Sequence, residues 1–295
     1  MSEHHPERFR VLHRSRDGMD FGNWFNSSAL LLAGDVVGVL DSLPNAGQAY
    51  GHLLHFVDVL NADAVNEVRA FIGGRLANAL WGAGQWVQLN VPAVTDDTTD
   101  AQDAGADDFA LQTLVNNDGF VAWATRPFNA LVADVSTSAA AAAGYVSEFT
   151  YWNGTVYSDL EPFMVHVTPD ATLFVTAAPP TEEMMLWRIP PDWTPTGSTG
   201  QDGIPPDRYA IRYRATNAPD TAALATTVSL YNLRYAALDI PAGGILRDHR
   251  LDLPVCSFQE NLVAVFSRAG AHRVLVASEK SSHIGVLGLP AGTTR

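Results

Sequence analysis

Charge is scarce in this chain, and lysine almost absent. Charged residues make up 17% of its 295 residues, against roughly 25% in an average globular protein. Its surface therefore relies on Ser, Thr, Asn and Gln, or is partly covered by partners. Of the 18 basic residues, Lys280 is the lone lysine, and the formal net charge is −14. That balance excludes nucleic-acid binding through neutralised phosphates. The Arg bias has two readings, a GC-rich coding sequence or Arg as the preferred interface cation, whose planar fork pairs bidentately with carboxylates. The single cysteine, Cys256, excludes an intramolecular disulfide and reads as a small buried hydrophobe. No run of 18 apolar residues occurs, and Ala139 to Ala143 is far too short to cross a bilayer. The opening MSEHHPERFRVLHRSRDG lacks the apolar core of a secretory signal, so synthesis in a reducing cytoplasm is expected. The sequons at Asn26 and Asn153 then carry no weight. Also missing are a Gly-x-Ser-x-Gly elbow, His-Glu-x-x-His, a phosphate-cradling glycine loop and Cys-x-x-Cys. No catalytic residue, cofactor or resident metal is expected.

What is present fits a folded protein with ample core: 47% hydrophobic residues and a mean hydropathy of +0.01. The apolar runs are short and punctuated by Gly, Asp, Asn and Pro, as in Val36 to Leu40 and Leu53 to Leu60, which favours strands over helices. The expected class is all-β, an antiparallel β-sandwich or jelly-roll-like module. The organising stretch is Tyr151 to Leu160, YWNGTVYSDL, where Asn-Gly between β-formers predicts a two-residue type I′ hairpin. Arg208 to Thr216 alternates Tyr209, Ile211 and Tyr213 with Arg208, Ala210, Arg212 and Arg214, predicting one buried and one basic face. Asn117-Asp-Gly119 predicts a turn. Asn61 to Ala70 reads as a short helix, and Thr196 to Gly203 as a loop. Leu262 to Phe266 is expected to pair with Val274 to Ala277 across Arg268 to Ala271.

Four segments follow: an irregular arm (1–27), a β-rich domain (28–110), a β-sandwich module (111–235) and a small C-terminal β unit (236–295). Trp81, Trp86 and Leu89 stand at the same intervals as Trp152, Tyr157 and Leu160. Each set follows an apolar-Asp-apolar strand and precedes an acidic-Thr segment, which suggests a tandem duplication. Phe21, Trp24 and Phe25 in the arm either pin it to its own domain or dock on a neighbour. Ile284, Val286 and Leu287 either complete a sheet or add a strand to another chain.

Some residues admit a chemical reading. Trp152, Tyr157 and Trp193 would stack on sugar faces if exposed and would be core otherwise. Glu182 and Glu183 with Asp159 and Glu161 imitate the carboxylate pair of a glycoside hydrolase. The Asp-rich, cation-free stretch 94–108 is either a solvated loop or a Ca²⁺ site, though it lacks EF-hand spacing. The nine histidines are scattered.

Pro127-Phe-Asn-Ala-Leu131, Tyr151-Trp-Asn-Gly-Thr155 with Leu160, Asp170-Ala-Thr172, Pro190-Pro-Asp-Trp-Thr194 and Tyr209-Ala-Ile-Arg-Tyr-Arg214 together resemble a β-sandwich module of tailed-bacteriophage virion proteins. Ala171 stands where that family's turn carries Gly, and Tyr157 where a Trp is usual. The resemblance covers Leu111 to Tyr235. It implies a non-enzymatic virion protein, a capsid decoration (cement) or tail-associated subunit. Its partners would be other virion proteins, such as major capsid or tail proteins, and copies of itself in a homo-oligomer, a trimer being one option. A glycan-binding adhesion module is the alternative and a glycoside hydrolase-like enzyme the third. Neither nucleic acid nor membrane is an expected partner.

Overall fold

A computed structural model of the chain describes residues 25–27, 37–39, 51–88, 92–137, 146–160, 163–164, 181–217, 221–249, 251, 253–256, 260–267 and 272–281. Antiparallel strands dominate, as the punctuated apolar runs predict, and the protein is all-β. The helical content described is one short helix, α1 (Thr98–Gln102), and a single 3-10 turn at Asn78–Leu80. None is long and apolar enough to cross a membrane.

The chain divides into two compact units, 76–232 and a second made from 1–75 with 233–295. The middle unit is a β-sandwich. One of its sheets has the order β11-β10-β14-β8-β5-β6. These strands are β5 (Trp81–Val87), β6 (Ala93–Asp96), β8 (Gly119–Ala124), β10 (Val146–Trp152), β11 (Tyr157–Asp159) and β14 (Tyr209–Asn217). The other runs β12-β13-β9-β15, with β7 also on β15. Here β7 is Phe109–Gln112, β9 Ala130–Thr137, β12 Phe163–Met164, β13 Thr181–Leu186 and β15 Ala223–Ile240. Inward side chains of both sheets form one core: Phe120, Phe149, Tyr151, Ile211 and Tyr213 from the first, Leu131, Val135, Met185, Val228 and Leu230 from the second. Alternation explains which residues face inward. On β15 the inward set changes from Ala223 and Ala225 to Val228 and Leu230, and the pairing with β9 shifts register between Ala225 and Thr227. One extra residue resets the phase of the strand.

The other unit has its own core, in which Leu54, Val57 and Val59 meet Val68, Ala70, Ile72, Leu262, Ala264 and Phe266. Its strands are β1 (Phe25–Ser27), β2 (Val37–Val39), β3 (Gly51–Leu60), β4 (Val68–Leu76), β16 (Ile245–Asp248), β17 (Leu253–Cys256), β18 (Glu260–Phe266) and β19 (Arg273–Ser281). One sheet runs β1-β19-β3-β16, with β17 also on β3, while β4, β18 and β2 are neighbours in another. The pairing of β3 with β19, Leu60 opposite Arg273 through Gly51 opposite Ser281, joins the two sequence segments that make up this unit.

Several expectations are corrected. The boundary at 110/111 falls inside β7, the boundary at 235/236 inside β15, and segments 28–75 and 236–281 share one unit. The tandem duplication fails on geometry. Trp81 and Trp86 share the single strand β5, whereas Trp152 and Tyr157 face each other across a hairpin. Val57 to Val59 and Ala133 to Val135 lie in different units. The expected hairpin of Leu262–Phe266 with Val274–Ala277 is also absent, because β18 and β19 sit in different sheets.

Asn61 to Ala70 is a turn followed by β4 rather than a helix. Asp63 Oδ1 accepts from the N–H groups of Val65 and Asn66, a local bond that competes with helix formation. The fully buried Asn61 donates through Nδ2 to the Asn66, Ile240 and Pro241 carbonyls and accepts from Asp63 N–H. Stretch 94–108 contains β6 and α1 rather than only loop. Ala101 of α1 is buried in the sandwich core, and Thr98 Oγ1 bonds Ala83 on β5.

Candidate functional site

The hairpin at Tyr151 to Leu160 forms, but not with a two-residue turn. Trp152 pairs with Tyr157, leaving four loop residues. Of these Gly154 has a positive φ of 97°, and Asn153 does not appear among the positive-φ residues. The Asn153 side chain organises the loop instead: Oδ1 accepts from Thr155 and Val156 N–H at 2.9 Å each, and Nδ2 donates to Ser158. This is an Asx turn.

The Pro190-Pro-Asp-Trp193 corner closes on the same strand. Tyr151 Oη donates to Asp192 Oδ1 at 2.7 Å, and Thr194 N–H donates to the Trp152 carbonyl. Trp193 turns into the core against Phe128, Tyr151 and Tyr209, with ring centroids 5.2 to 6.3 Å apart. Trp187 packs against Phe128 and Phe149 and donates Nε1 to the Phe128 carbonyl at 3.0 Å. The quoted sequence motifs, apart from Asp170 to Thr172 outside the described residues, thus converge on one aromatic core.

Of the aromatic residues considered for sugar stacking, Trp152 and Trp193 are buried and Tyr157 is half-buried. Trp152 is 8% exposed and Trp193 7%, and they belong to different packed clusters. Tyr157 packs against Trp152 and Trp86. No exposed platform is built from these three. The residues considered for hydrolysis lie on different sheets: Asp159 is on β11 of one, while Glu182 and Glu183 are on β13 of the other, opposite Asp134 and Ala133 in register. Glu161 lies outside the described residues. Among the described residues, no three His, Cys, Asp or Glu side chains come together as a metal site. Asp96 and Asp103 instead accept from nearby backbone N–H groups, and Asp108 accepts from Ser136 Oγ. Burial, then the charges of Asp100 and Asp96, raise the Asp97 pKa.

Of the expected docking residues, Phe25 starts β1 and pairs through its backbone with Val276 of β19, within its own chain. Phe21, Trp24, Ile284, Val286 and Leu287 lie outside the described residues.

The feature missed in the sequence is on the second face of the six-stranded sheet. The alternation in β14 predicts one buried and one basic face, yet Arg212 of the basic face is 8% exposed. That face carries its own buried cluster, Trp86, Val121, Trp123, Trp152 and Ala210 from the strands with Ile204 of the 200–204 turn laid on them and Val94 and Tyr157 alongside. The Arg212 guanidinium carbon lies 4.7 Å from the Trp86 ring centroid and 4.1 Å from that of Tyr157, a double cation–π contact. Arg214, the next outward residue, pairs with Glu148 instead. Burial pulls the Arg212 pKa down and Arg214 adds to this, while Tyr157, Glu148 and Asp202 oppose it. Burial likewise pushes the Tyr157 hydroxyl up. The covering turn has positive φ at Gly200, Asp202 and Gly203 and is pinned where Val94 N–H donates to the Asp202 carbonyl. An Arg next to a Tyr in an alternating strand carries no signal of a second covering layer.

Comparisons with protein-family models, with curated proteins and with solved structures find no match to this chain.

Proposed function

We propose that the chain is a non-enzymatic structural subunit of a tailed-bacteriophage particle, a capsid decoration or tail-associated protein that works through protein–protein interfaces. The observation that carries this reading is the convergence of the resembling motifs. Phe128, Tyr151, Trp193 and Tyr213 all lie in one core, and Asp192 fastens the corner to β10. Residues that resemble the virion sandwich motifs thus pack into one core, which would give the stiffness that a repeated shell or tube component needs. Contacts between copies and with capsid or tail proteins would each contribute modestly and accumulate by multivalency. The place of action would be the virion after synthesis in the host cytoplasm.

The test is mass spectrometry of density-gradient-purified particles from the phage that carries the gene. The chain should be a stoichiometric constituent of the particle. Its presence in the infected lysate but not in purified particles would overturn the proposal.

A further inference from the structure

The geometry points to a carboxylate-binding site at Arg212, beneath the 200–204 turn on the second face of the six-stranded sheet. Three buried donors of this stack have no hydrogen-bond partner in the protein: Arg212 Nε, Tyr157 Oη and Trp86 Nε1. They come from β14, β11 and β5 and are held together by the guanidinium lying over both rings. Stacking satisfies the face of a guanidinium but not its N–H edge. A buried polar group without a partner forfeits its hydration and gains nothing in return, so a cluster of three calls for an acceptor.

The donor set selects the ligand class. Trp Nε1 and Arg Nε can only donate, and Tyr Oη is a donor when protonated, as burial favours here. Nε and its neighbouring amino group form the side-on fork that meets two carboxylate oxygens at once. The negative groups nearby do not fill this role. Glu148 is committed to Arg214, and Asp202 attracts Arg212 electrostatically with no hydrogen bond to it. The net charge of −14 does not bar an anion, because at physiological salt exposed charges beyond about 8 Å are largely screened. Reaching the donors requires the 200–204 turn to open, and Ile204 is its buried anchor.

The experiment follows the Arg212 Nε–H resonance of the full chain by ¹H–¹⁵N NMR during titration with sodium formate or acetate. Sodium chloride at matched ionic strength is the control. A saturable shift with the carboxylates but not chloride is expected. Tyr157→Phe, which keeps the stacking ring, should weaken binding about tenfold by removing one charge-assisted hydrogen bond. Trp fluorescence reports the same titration in Arg212→Met, where the saturable response should vanish. The carboxylate could also be an acidic side chain of a second copy. In that case mass photometry would show self-association that Arg212→Met abolishes, without a formate response. Either result carries the proposal. Absence of both, or a formate response undiminished in Arg212→Met and Tyr157→Phe, overturns it in favour of a purely structural stack. A virion protein lacking this site, or a carboxylate-binding protein absent from virions, would separate this outcome from the proposal above.

Discussion

Replacing Trp187 with Phe tests whether the motif aromatics are structural. The substitution keeps a six-membered ring between Phe128 and Phe149, to which Trp187 packs with centroids 5.5 Å away in each case. It removes the outer part of the indole, beyond the ring attached to Cβ, from a side chain that is 1% exposed, leaving a void on the order of 40 Å³, worth about 1 kcal/mol. It also removes the Nε1 bond to the carbonyl of the fully buried Phe128, and an orphaned buried acceptor costs about 1–3 kcal/mol. The loss should therefore be about 2–4 kcal/mol. For a unit of this size that lowers Tm by roughly 5–15 °C. Urea denaturation followed by tryptophan emission is the assay. Of the seven tryptophans all but Trp24 fall within 76–232, so the signal reports the middle unit. The midpoint should fall with the slope unchanged. A loss below about 0.5 kcal/mol, well short of the range set by these two costs, would refute the assignment of Trp187 to the core.

Four further outcomes follow from the same contacts. Asn153→Ala should cost about 1 kcal/mol, the typical worth of a side chain that caps backbone N–H groups, with the loss read by chemical denaturation. Asn61→Ala strands the buried Ile240 carbonyl, while Pro241 keeps its bond from Gly244 N–H, and should cost roughly 1–3 kcal/mol, lowering a thermal transition measured by far-UV circular dichroism. Tyr157→Phe removes a sealed hydroxyl without a partner, so in carboxylate-free buffer it should be neutral or stabilise by up to about 1 kcal/mol. Finally, the Tyr235 pKa is raised, first by burial and then by Asp248. Such a group binds its proton more tightly in the folded state. Its contribution is complete below the unfolded tyrosine value near 10 and is lost as pH rises from there toward the higher folded value. Stability should fall over that alkaline window less steeply in Tyr235→Phe than in the parent, as measured by denaturant midpoints at stepped pH.

Much of the class was legible and less of the arrangement. Alternating apolar residues and turn chemistry locate β14, the hairpin after Trp152 and the turn at Asn117, whose φ of 67° an Asn tolerates. Period two says that Arg212 and Tyr213 face opposite ways, but not that both sides of the sheet are covered. That depends on the 193–208 connection folding back, through Thr196 bonding Pro205 and Arg208, a contact with no periodic signature. The helix expected over 61–70 failed because Asn61 and Asp63 satisfy backbone groups locally. Pairing of β3 with β19 joins residues more than 200 positions apart, and nothing in either strand's local pattern specifies so remote a partner. Whether Trp152 and Trp193 are exposed is likewise decided by tertiary cover, which buries both.

The pairing of β3 with β19 also sets an order of assembly. Translation delivers 76–232 whole before the last strands exist, so this middle portion has every partner it needs while synthesis continues. The flanking core cannot close until residues 272–281 leave the ribosome, and its early half must wait with strand edges unmatched. A truncation in the final stretch should therefore spare the inner fold and leave the first 75 residues as the segment that recruits chaperones.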